Sequence, residues 1–225
     1  MAETFQRYEK KYILDEKRYT YMCELLSKYM KHDKFFKTRV NSIYYDTDNY
    51  QLIRRSIEKP DYKEKLRIRT YGDINDDDKV FVELKKKYDG IVYKRRTKST
   101  YKDVLNNIYD CQFDDEQIGK EIKYALNYYG HLNPAYFISC MRTSYIANDD
   151  SNIRITFDQD IKYRTKHLSL KNENEDKLIT DKIIMELKVK DSIPLWLSHI
   201  LNEVKVYPQG FSKVGNAFTR ELMEV

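Results

Sequence analysis

Residues 63–96 constrain the fold more than any other part of the chain. Lys65-Leu66-Arg67-Ile68-Arg69-Thr70-Tyr71 and Val80-Phe81-Val82-Glu83-Leu84-Lys85-Lys86-Lys87 alternate charged with apolar residues. A β-strand sends successive side chains to opposite faces. One face of the first strand therefore carries Lys65, Arg67, Arg69 and Tyr71, and the other carries Leu66, Ile68 and Thr70. In the second, Phe81, Glu83, Lys85 and Lys87 oppose Val80, Val82 and Leu84. A third run, Ile91-Val92-Tyr93-Lys94-Arg95-Arg96, follows the turn Tyr88-Asp89-Gly90. The apolar faces require a core, and the basic faces require water or an anion.

The same alternation predicts strands at 7–14, 40–45, 135–147, 153–159 and 182–190, with 161–170 as an extension. In the first of these, Arg7, Glu9 and Lys11 share a face. In the last, Glu186, Lys188 and Lys190 oppose Met185, Leu187 and Val189. Helical spacing covers 16–31 (Tyr19, Met22, Cys23, Leu26, Tyr29, Met30) behind the N-cap candidate Asp15. Further helices are predicted at 101–108, at 115–129 with Gly130 as its stop, at 195–203 behind Pro194, and at 216–225. A short helix runs from Asp46 or Asp48 to about residue 57, where Lys59-Pro60-Asp61 breaks it. Residues 72–79, 171–177 and 206–214 read as loops. No repeat, linker or low-complexity tract divides the sequence, so residues 1–225 read as a single domain.

The basic faces recur along the chain. Lys11; Lys65, Arg67 and Arg69; Lys85 and Lys87; Lys94 and Arg96; Arg142; Arg154; and Lys188 all fall on them. Glu9, Glu83, Asp158 and Glu186 are their sparse acidic companions. Two architectures accommodate this. In one, an open sheet packs its apolar face on helices and leaves the charged face in water. In the other, a closed antiparallel barrel of about eight strands turns the basic faces into a lumen roughly wide enough for one small ligand. Its apolar faces then point outward, under the helices at 16–31, 115–129 and 195–203. The open sheet is the simpler account of any one strand. Repetition over successive strands favours the barrel, because a face of Lys and Arg repels itself unless an anion sits on it. Arginine donates bidentately to a phosphate and lysine serves as a point charge. Carboxylates in such a lumen suit phosphate only through a bridging divalent cation. The expected fold class is α+β: a closed antiparallel β-barrel tunnel of about eight strands with helices packed outside.

Composition narrows the classes further. A net charge of +5 permits an anionic partner without demanding one, so distribution matters more than the total. Twenty-one tyrosines against six glycines and four prolines speak for an ordered chain. Cys23, Cys111 and Cys140 lack metal-ligand spacing and read as packed thiols in a reducing compartment. His32, His131, His167 and His199 share no spacing, and none reads as catalytic. No stretch approaches transmembrane length and residues 1–7 have no signal-like apolar region, so the chain is expected to be soluble and cytoplasmic. No strand shows the aromatic platform of single-strand binders, and nucleic acid is not expected as a partner.

Several segments in order carry a family resemblance: Lys11-Tyr12-Ile13, Ser42-Ile43-Tyr44-Tyr45-Asp46-Thr47, Leu66-Arg67-Ile68-Arg69-Thr70-Tyr71-Gly72, Phe81-Val82-Glu83-Leu84-Lys85, Arg142-Thr143, Ile153-Arg154-Ile155-Thr156-Phe157-Asp158, Met185-Glu186-Leu187-Lys188 and Phe211-Ser212-Lys213. As a set they resemble the VTC domain, the polyphosphate polymerase branch of the triphosphate tunnel metalloenzymes, over nearly the whole chain. The resemblance implies an eight-stranded tunnel, Mn²⁺ or Mg²⁺, and transfer of the ATP γ-phosphate to a growing polyphosphate. ATP, triphosphate and polyphosphate are the implied partners. Lys11, Arg67, Arg69, Lys85, Lys94, Arg142, Arg154, Lys188 and Lys213 would hold phosphates, and Glu186 the metal. Lys65 and Arg96, on the same faces, and Ser212, beside Lys213, complete the candidate substrate-binding set. Lys11, Arg67, Arg69, Lys85 and Glu186 are the catalytic candidates. Three roles stay open for Glu9 and Glu83: further metal ligand, general base, or ion-pair partner orienting Lys11 or Lys85. The superfamily's first strand carries Glu-x-Glu-x-Lys, and here Arg7-x-Glu9-x-Lys11 replaces one acidic group by Arg. That suits a polymerase better than a hydrolase with a fuller acidic site. An inorganic or nucleoside triphosphatase and a non-catalytic polyphosphate-binding module remain the alternatives. Tyr44 and Tyr45 read as core, and Asp46 as a helix cap.

Overall fold

The computed structural model describes residues 8–58, 60–89, 91–171 and 176–224. Arg7, Lys59, Gly90 and residues 172–175, all used in the sequence reading, lie outside the described residues. Along the chain come β1 (Tyr8–Leu14), α1 (Glu16–Leu26), β2 (Met30–Asp46), α2 (Gln51–Ile57), β3 (Tyr62–Tyr71), β4 (Lys79–Tyr88) and β5 (Ile91–Thr100). They are followed by α3 (Tyr101–Asn107), α4 (Glu116–Tyr129), β6 (Asn133–Ala147), β7 (Arg154–Arg164), β8 (Lys177–Thr180), β9 (Ile183–Val189), α5 (Leu195–Glu203) and α6 (Lys213–Met223).

The expected closed barrel does not form. Nine strands make one sheet along the path β1-β9-β7-β6-β2-β3-β4-β5, with β8 paired to β7. That path has two ends, and no pairing among the described residues returns β5 to β1. Self-repulsion of the basic faces does not force closure. The structure answers much of that repulsion with carboxylates buried on the faces themselves, as described below.

The chain gathers into two compact units. Within its described residues, the first takes the chain up to Arg39, Cys140–Lys162 and Leu178–Ser212. Its core joins Tyr12 and Leu14 of β1, Ile155 and Phe157 of β7, and Met185 and Leu187 of β9 to Met22 and Leu26 of α1 and Leu197, Ile200 and Leu201 of α5. Asp15 caps α1, accepting a 2.8 Å hydrogen bond from the Arg18 N–H. The helix ends at Leu26 rather than running to residue 31. Tyr29 instead stacks on Trp196, at 4.7 Å and 6° between rings, and Met30 begins β2.

The second unit takes Val40–Ser139, Tyr163–Lys177 and the chain from Lys213 onward. Here β2, β3, β4 and β5 pair antiparallel in sequence order. Leu66 and Ile68 of β3 and Val80, Val82 and Leu84 of β4 pack with Val104 of α3 and Ile122 and Leu126 of α4. Two carboxylates order the helices of this unit. Asp46 accepts from the N–H groups of Leu52 and Ile53, 2.8 Å each, at the start of α2. Asp115 accepts from Ile118 N at 2.8 Å and caps α4. Gly130 ends α4 at φ +80°, a left-handed conformation that favours glycine.

Ile68 is fully buried in the core of the second unit. Ile68→Asp should therefore destabilise the protein by about 3 kcal/mol or more, the cost of an unpaired buried charge. Denaturant unfolding measures this, and an unchanged midpoint would mean that the faces of β3 are assigned the wrong way round.

Candidate functional site

In the second unit the basic face follows from strand register. Arg67 lies opposite Glu83 and Glu83 opposite Arg96, while Lys65 lies opposite Lys85 and Lys85 opposite Lys94. Paired residues share a face, so these six residues point to one side of β3–β5. Strand β2 adds Ser42 opposite Arg69 and Tyr44 opposite Arg67.

Glu83 is at the centre of this face and is 1% exposed. Its Oε2 accepts from Arg67 Nε at 2.8 Å and lies 2.7 Å from Arg67 Nη2. Arg69 Nη1 is 3.9 Å from the same oxygen. The other oxygen, Oε1, lies 2.7 Å from Lys94 Nζ and 3.1 Å from Arg96 Nε. Side chains around the cations hold them in turn. Arg67 Nη1 donates to the Tyr44 hydroxyl at 2.8 Å, and Arg69 Nε donates to Ser42 Oγ at 3.0 Å. The Arg96 guanidinium lies 3.5 Å from the centre of the Phe81 ring, a cation–π contact. Lys213, expected in a loop, is instead the first residue of α6.

Charge dominates the chemistry here. Burial pushes the Glu83 carboxyl up, but Arg67, Arg69 and Lys94 outweigh burial and hold it well below the usual carboxylate range. Burial brings the Lys94 ammonium down to about 8 in spite of Glu83. Burial alone would raise the Tyr44 phenol, yet Arg67, Arg69, Lys65 and Lys213 together bring it down to about 7. On β3–β5 this face sets one carboxylate against Lys65, Arg67, Arg69, Lys85, Lys94 and Arg96. Of the roles open for Glu83, the geometry supports an ion-pair partner, here of Arg67 and Lys94.

The first unit arranges its charges differently. Glu9 lies opposite Lys188 and Lys11 opposite Glu186 on the paired strands β1 and β9, while β7 adds Arg154 opposite Lys188 and Thr156 opposite Glu186. Arg142 donates through Nε and Nη2 to the two oxygens of Asp158, at 2.6 and 2.7 Å, and Asp158 is fully buried. Lys188 Nζ lies 2.7 Å from Glu186. Lys11 Nζ lies 3.9 Å from Glu9 and donates to the Phe211 carbonyl, the residue before Ser212, at 2.9 Å. Arg154 sits 3.7 Å from Asp33. Each of these cations has a carboxylate close by.

Among the described residues, no group of three or more His, Cys, Asp or Glu is disposed to hold a metal ion. Glu83, enclosed by cations, does not fit such a role. Glu9 and Glu186 do fit a weaker one. They share a face diagonally across β1 and β9, and Mg²⁺-type ions are commonly held by one or two carboxylates plus substrate phosphates.

Sequence reasoning placed Asp158 among the acidic companions of the basic faces, as its pairing with Arg142 bears out, but missed Tyr44, Ser42 and Phe81 as parts of these networks. The signal for the first two was present. Within β2, Ser42 and Tyr44 alternate with Ile43 and Tyr45, and only Ile43 and Tyr45 belong to the apolar cluster.

Removing the central carboxylate should show how the cluster is balanced. Glu83→Gln leaves four mutually repelling cations and should cost about 3 kcal/mol of stability. Because the folded-state value of Glu83 is depressed, its stabilisation is full above the ordinary value of 4.5 and is lost as pH falls below it. Acid unfolding of the variant should lack that part of the pH slope. A variant with wild-type stability and acid slope would show that Glu83 is not the counter-ion of the cluster.

Comparison with known proteins places this arrangement. No curated protein matches the chain significantly. Among solved structures, a candidate adenylate cyclase from Bacillus halodurans aligns with a TM-score of 0.58 at 13% identity, over 94% of this chain and 96% of that one. A second candidate adenylate cyclase, from Vibrio parahaemolyticus, aligns with a TM-score of 0.50 at 9% identity, over 96% and 99% of the two chains. At such identities the likeness is one of fold. The family model of the VTC domain matches residues 6–220, nearly all of the sequence. This chain belongs to the VTC domain family.

Proposed function

We propose that the chain is a metal-dependent polyphosphate polymerase that transfers the γ-phosphate of ATP to a growing inorganic polyphosphate. The observation that carries this is the surplus of cations around Glu83 in the second unit. A buried carboxylate already answers part of the charge, and the remainder favours a polyanion. Membership of the VTC domain family supports the same reading, in which residues 1–225 act as a single VTC-like domain.

Phosphoryl transfer asks a protein for positioning and charge neutralisation more than for covalent chemistry. In this reading Arg67 and Arg69 present forked donors to phosphate oxygens, while Lys65, Lys85, Lys94 and Lys213 act as point charges. Arg96 completes the set. In the first unit Lys11, Arg142, Arg154 and Lys188, with Ser212, serve the same class of ligand. Glu186, with Glu9, is the place for Mn²⁺ or Mg²⁺. The chemistry such an ion would supply there is neutralisation of charge developing on the transferring group. Consumption of ATP and the thiols Cys23, Cys111 and Cys140, which form no disulfide among the described residues, suit the cytoplasm. No helix among the described residues is long and apolar enough to cross a membrane.

Incubation with ATP and Mn²⁺, followed by gel separation, should show polyphosphate chains that lengthen with time. Release of free phosphate without chain growth would replace this reading by a triphosphatase. Binding without turnover would replace it by a polyphosphate-binding module. Tripolyphosphate should also raise the melting temperature by mass action, and the gain should shrink in Arg67→Ala and Arg69→Ala. Glu186→Gln should bind tripolyphosphate in the absence of metal as well as wild type does, yet lose about a hundredfold in turnover. Normal turnover of that variant would remove Glu186 from the metal assignment.

A further inference from the structure

Tyr44 occupies an unusual position for a buried tyrosine. Its ring lies on the basic face of the second unit, 7% exposed, opposite Arg67 in the ladder. Its oxygen accepts a 2.8 Å hydrogen bond from Arg67 Nη1. With Nε and Nη2 on Glu83, this second contact leaves the Arg67 guanidinium fixed from two sides. A phenol that accepts from an arginine still has its own proton to donate. Among the described residues no acceptor for that proton is found. The nearest carboxylate along the chain, Asp46, is committed to the N–H groups of Thr47, Leu52 and Ile53. The largest charge effects on Tyr44 come from cations: Lys65, Arg67 and Arg69 from β3, and Lys213 from α6. Glu83 of β4 is already shared among Arg67, Arg69, Lys94 and Arg96.

We propose that Tyr44 is a phosphate-binding residue of this cluster, fixing Arg67 through its oxygen and donating its own hydroxyl proton to a phosphate oxygen of the bound polyanion. The proposal rests on the reading of the Glu83 cluster as a phosphate site, and it adds a neutral donor to a site otherwise built from cations. It also couples binding to a proton. Without the anion the surrounding cations favour the phenolate, and Tyr44 titrates at about 7. An arriving polyanion offsets those cations and favours the phenol. Binding at mildly alkaline pH therefore takes up a proton at Tyr44, and binding below its titration takes up none there. Lys94, at about 8, takes up protons for the same reason. The contribution of Tyr44 is accordingly read as a difference between wild type and Tyr44→Phe.

The experiment uses tripolyphosphate as the probe, without metal, on wild type, Tyr44→Phe and Arg67→Ala. Calorimetry in two buffers of different ionisation enthalpy gives affinity and proton uptake, and near-ultraviolet absorbance gives tyrosinate directly. Tyr44→Phe should bind about tenfold more weakly, the usual scale for a hydrogen bond to a charged group. It should also take up fewer protons than wild type at mildly alkaline pH. In wild type a tyrosinate band should be present at that pH and should fade as tripolyphosphate is added. A wild-type band that persists at saturation overturns the proposal, and this arm needs no variant to fold. If Arg67→Ala loses binding while Tyr44→Phe matches wild type in affinity and uptake, Tyr44 is only packing and the cluster reading stands. If both variants bind like wild type, the cluster is not the phosphate site and the proposal falls with it.

Discussion

A single buried carboxylate, Glu83, fixes the geometry of the second unit's basic face. Burying a charge is costly unless it is paired and hydrogen-bonded. Glu83 meets that condition through Arg67 and Arg69 of β3 and Lys94 and Arg96 of β5, so three neighbouring strands are tied through one side chain. The tie is specific to register. Sliding β4 by one residue would turn Glu83 into the apolar cluster of Val80, Val82 and Leu84 and leave the arginines without it. Apolar packing on one face and ion pairing on the other therefore select the same alignment. Agreement of that kind between independent terms is what lets a sequence specify one structure.

The two units solve the problem of a charged sheet face in different ways. In the first, Arg142 with Asp158, Lys188 with Glu186 and Lys11 with Glu9 are local pairs. Arg142 and Asp158 are the tightest, a two-pronged contact of the strong, charge-assisted kind. In the second, a single carboxylate is divided among several cations. Pairing that is nearly complete leaves little field for a ligand, whereas shared pairing leaves a directed positive potential. The cluster around Glu83 accordingly carries the stronger case for an anion.

Period-2 alternation made β3, β4 and β9 legible, because each has one apolar and one charged face, whereas β5 followed from the turn after β4. The start of β2 was not legible. Met30-Lys31-His32-Asp33-Lys34-Phe35-Phe36 shows no alternation, and its burial does not alternate either. Helical spacing through Tyr29 and Met30 drew α1 too far for the same reason, since both residues are apolar in either structure. Strand β8, which begins at Lys177, was hidden at the end of a polar stretch. Sheet closure was not legible at all, because alternation reports the two faces of a strand and not which strand lies beside it. Basic site residues were visible as residue types on a face. Tyr44 was not, because a tyrosine in a strand reads as core, and Tyr45 beside it is core. Only the parity of position along β2 separates the two.

A carboxylate inside a phosphate-binding cluster looks self-defeating, since it neutralises charge that the ligand would use. Free arginine and lysine side chains carry about 2 kcal/mol of rotamer entropy each, and ordering them on a ligand subtracts from affinity. Here that ordering is done when the chain folds. Glu83 holds Arg67 and Lys94, Tyr44 holds the far side of Arg67, Ser42 holds Arg69 and the Phe81 ring carries Arg96. Mutual repulsion among the cations would otherwise splay them into solvent. A polyanion then meets donors already in place and adds its charge to a cluster whose repulsion is only partly relieved. Complete neutralisation would remove the attraction, and no carboxylate at all would remove the order. One carboxylate among several cations lies between those limits, and the same logic explains why the remaining contacts to these arginines come from neutral groups.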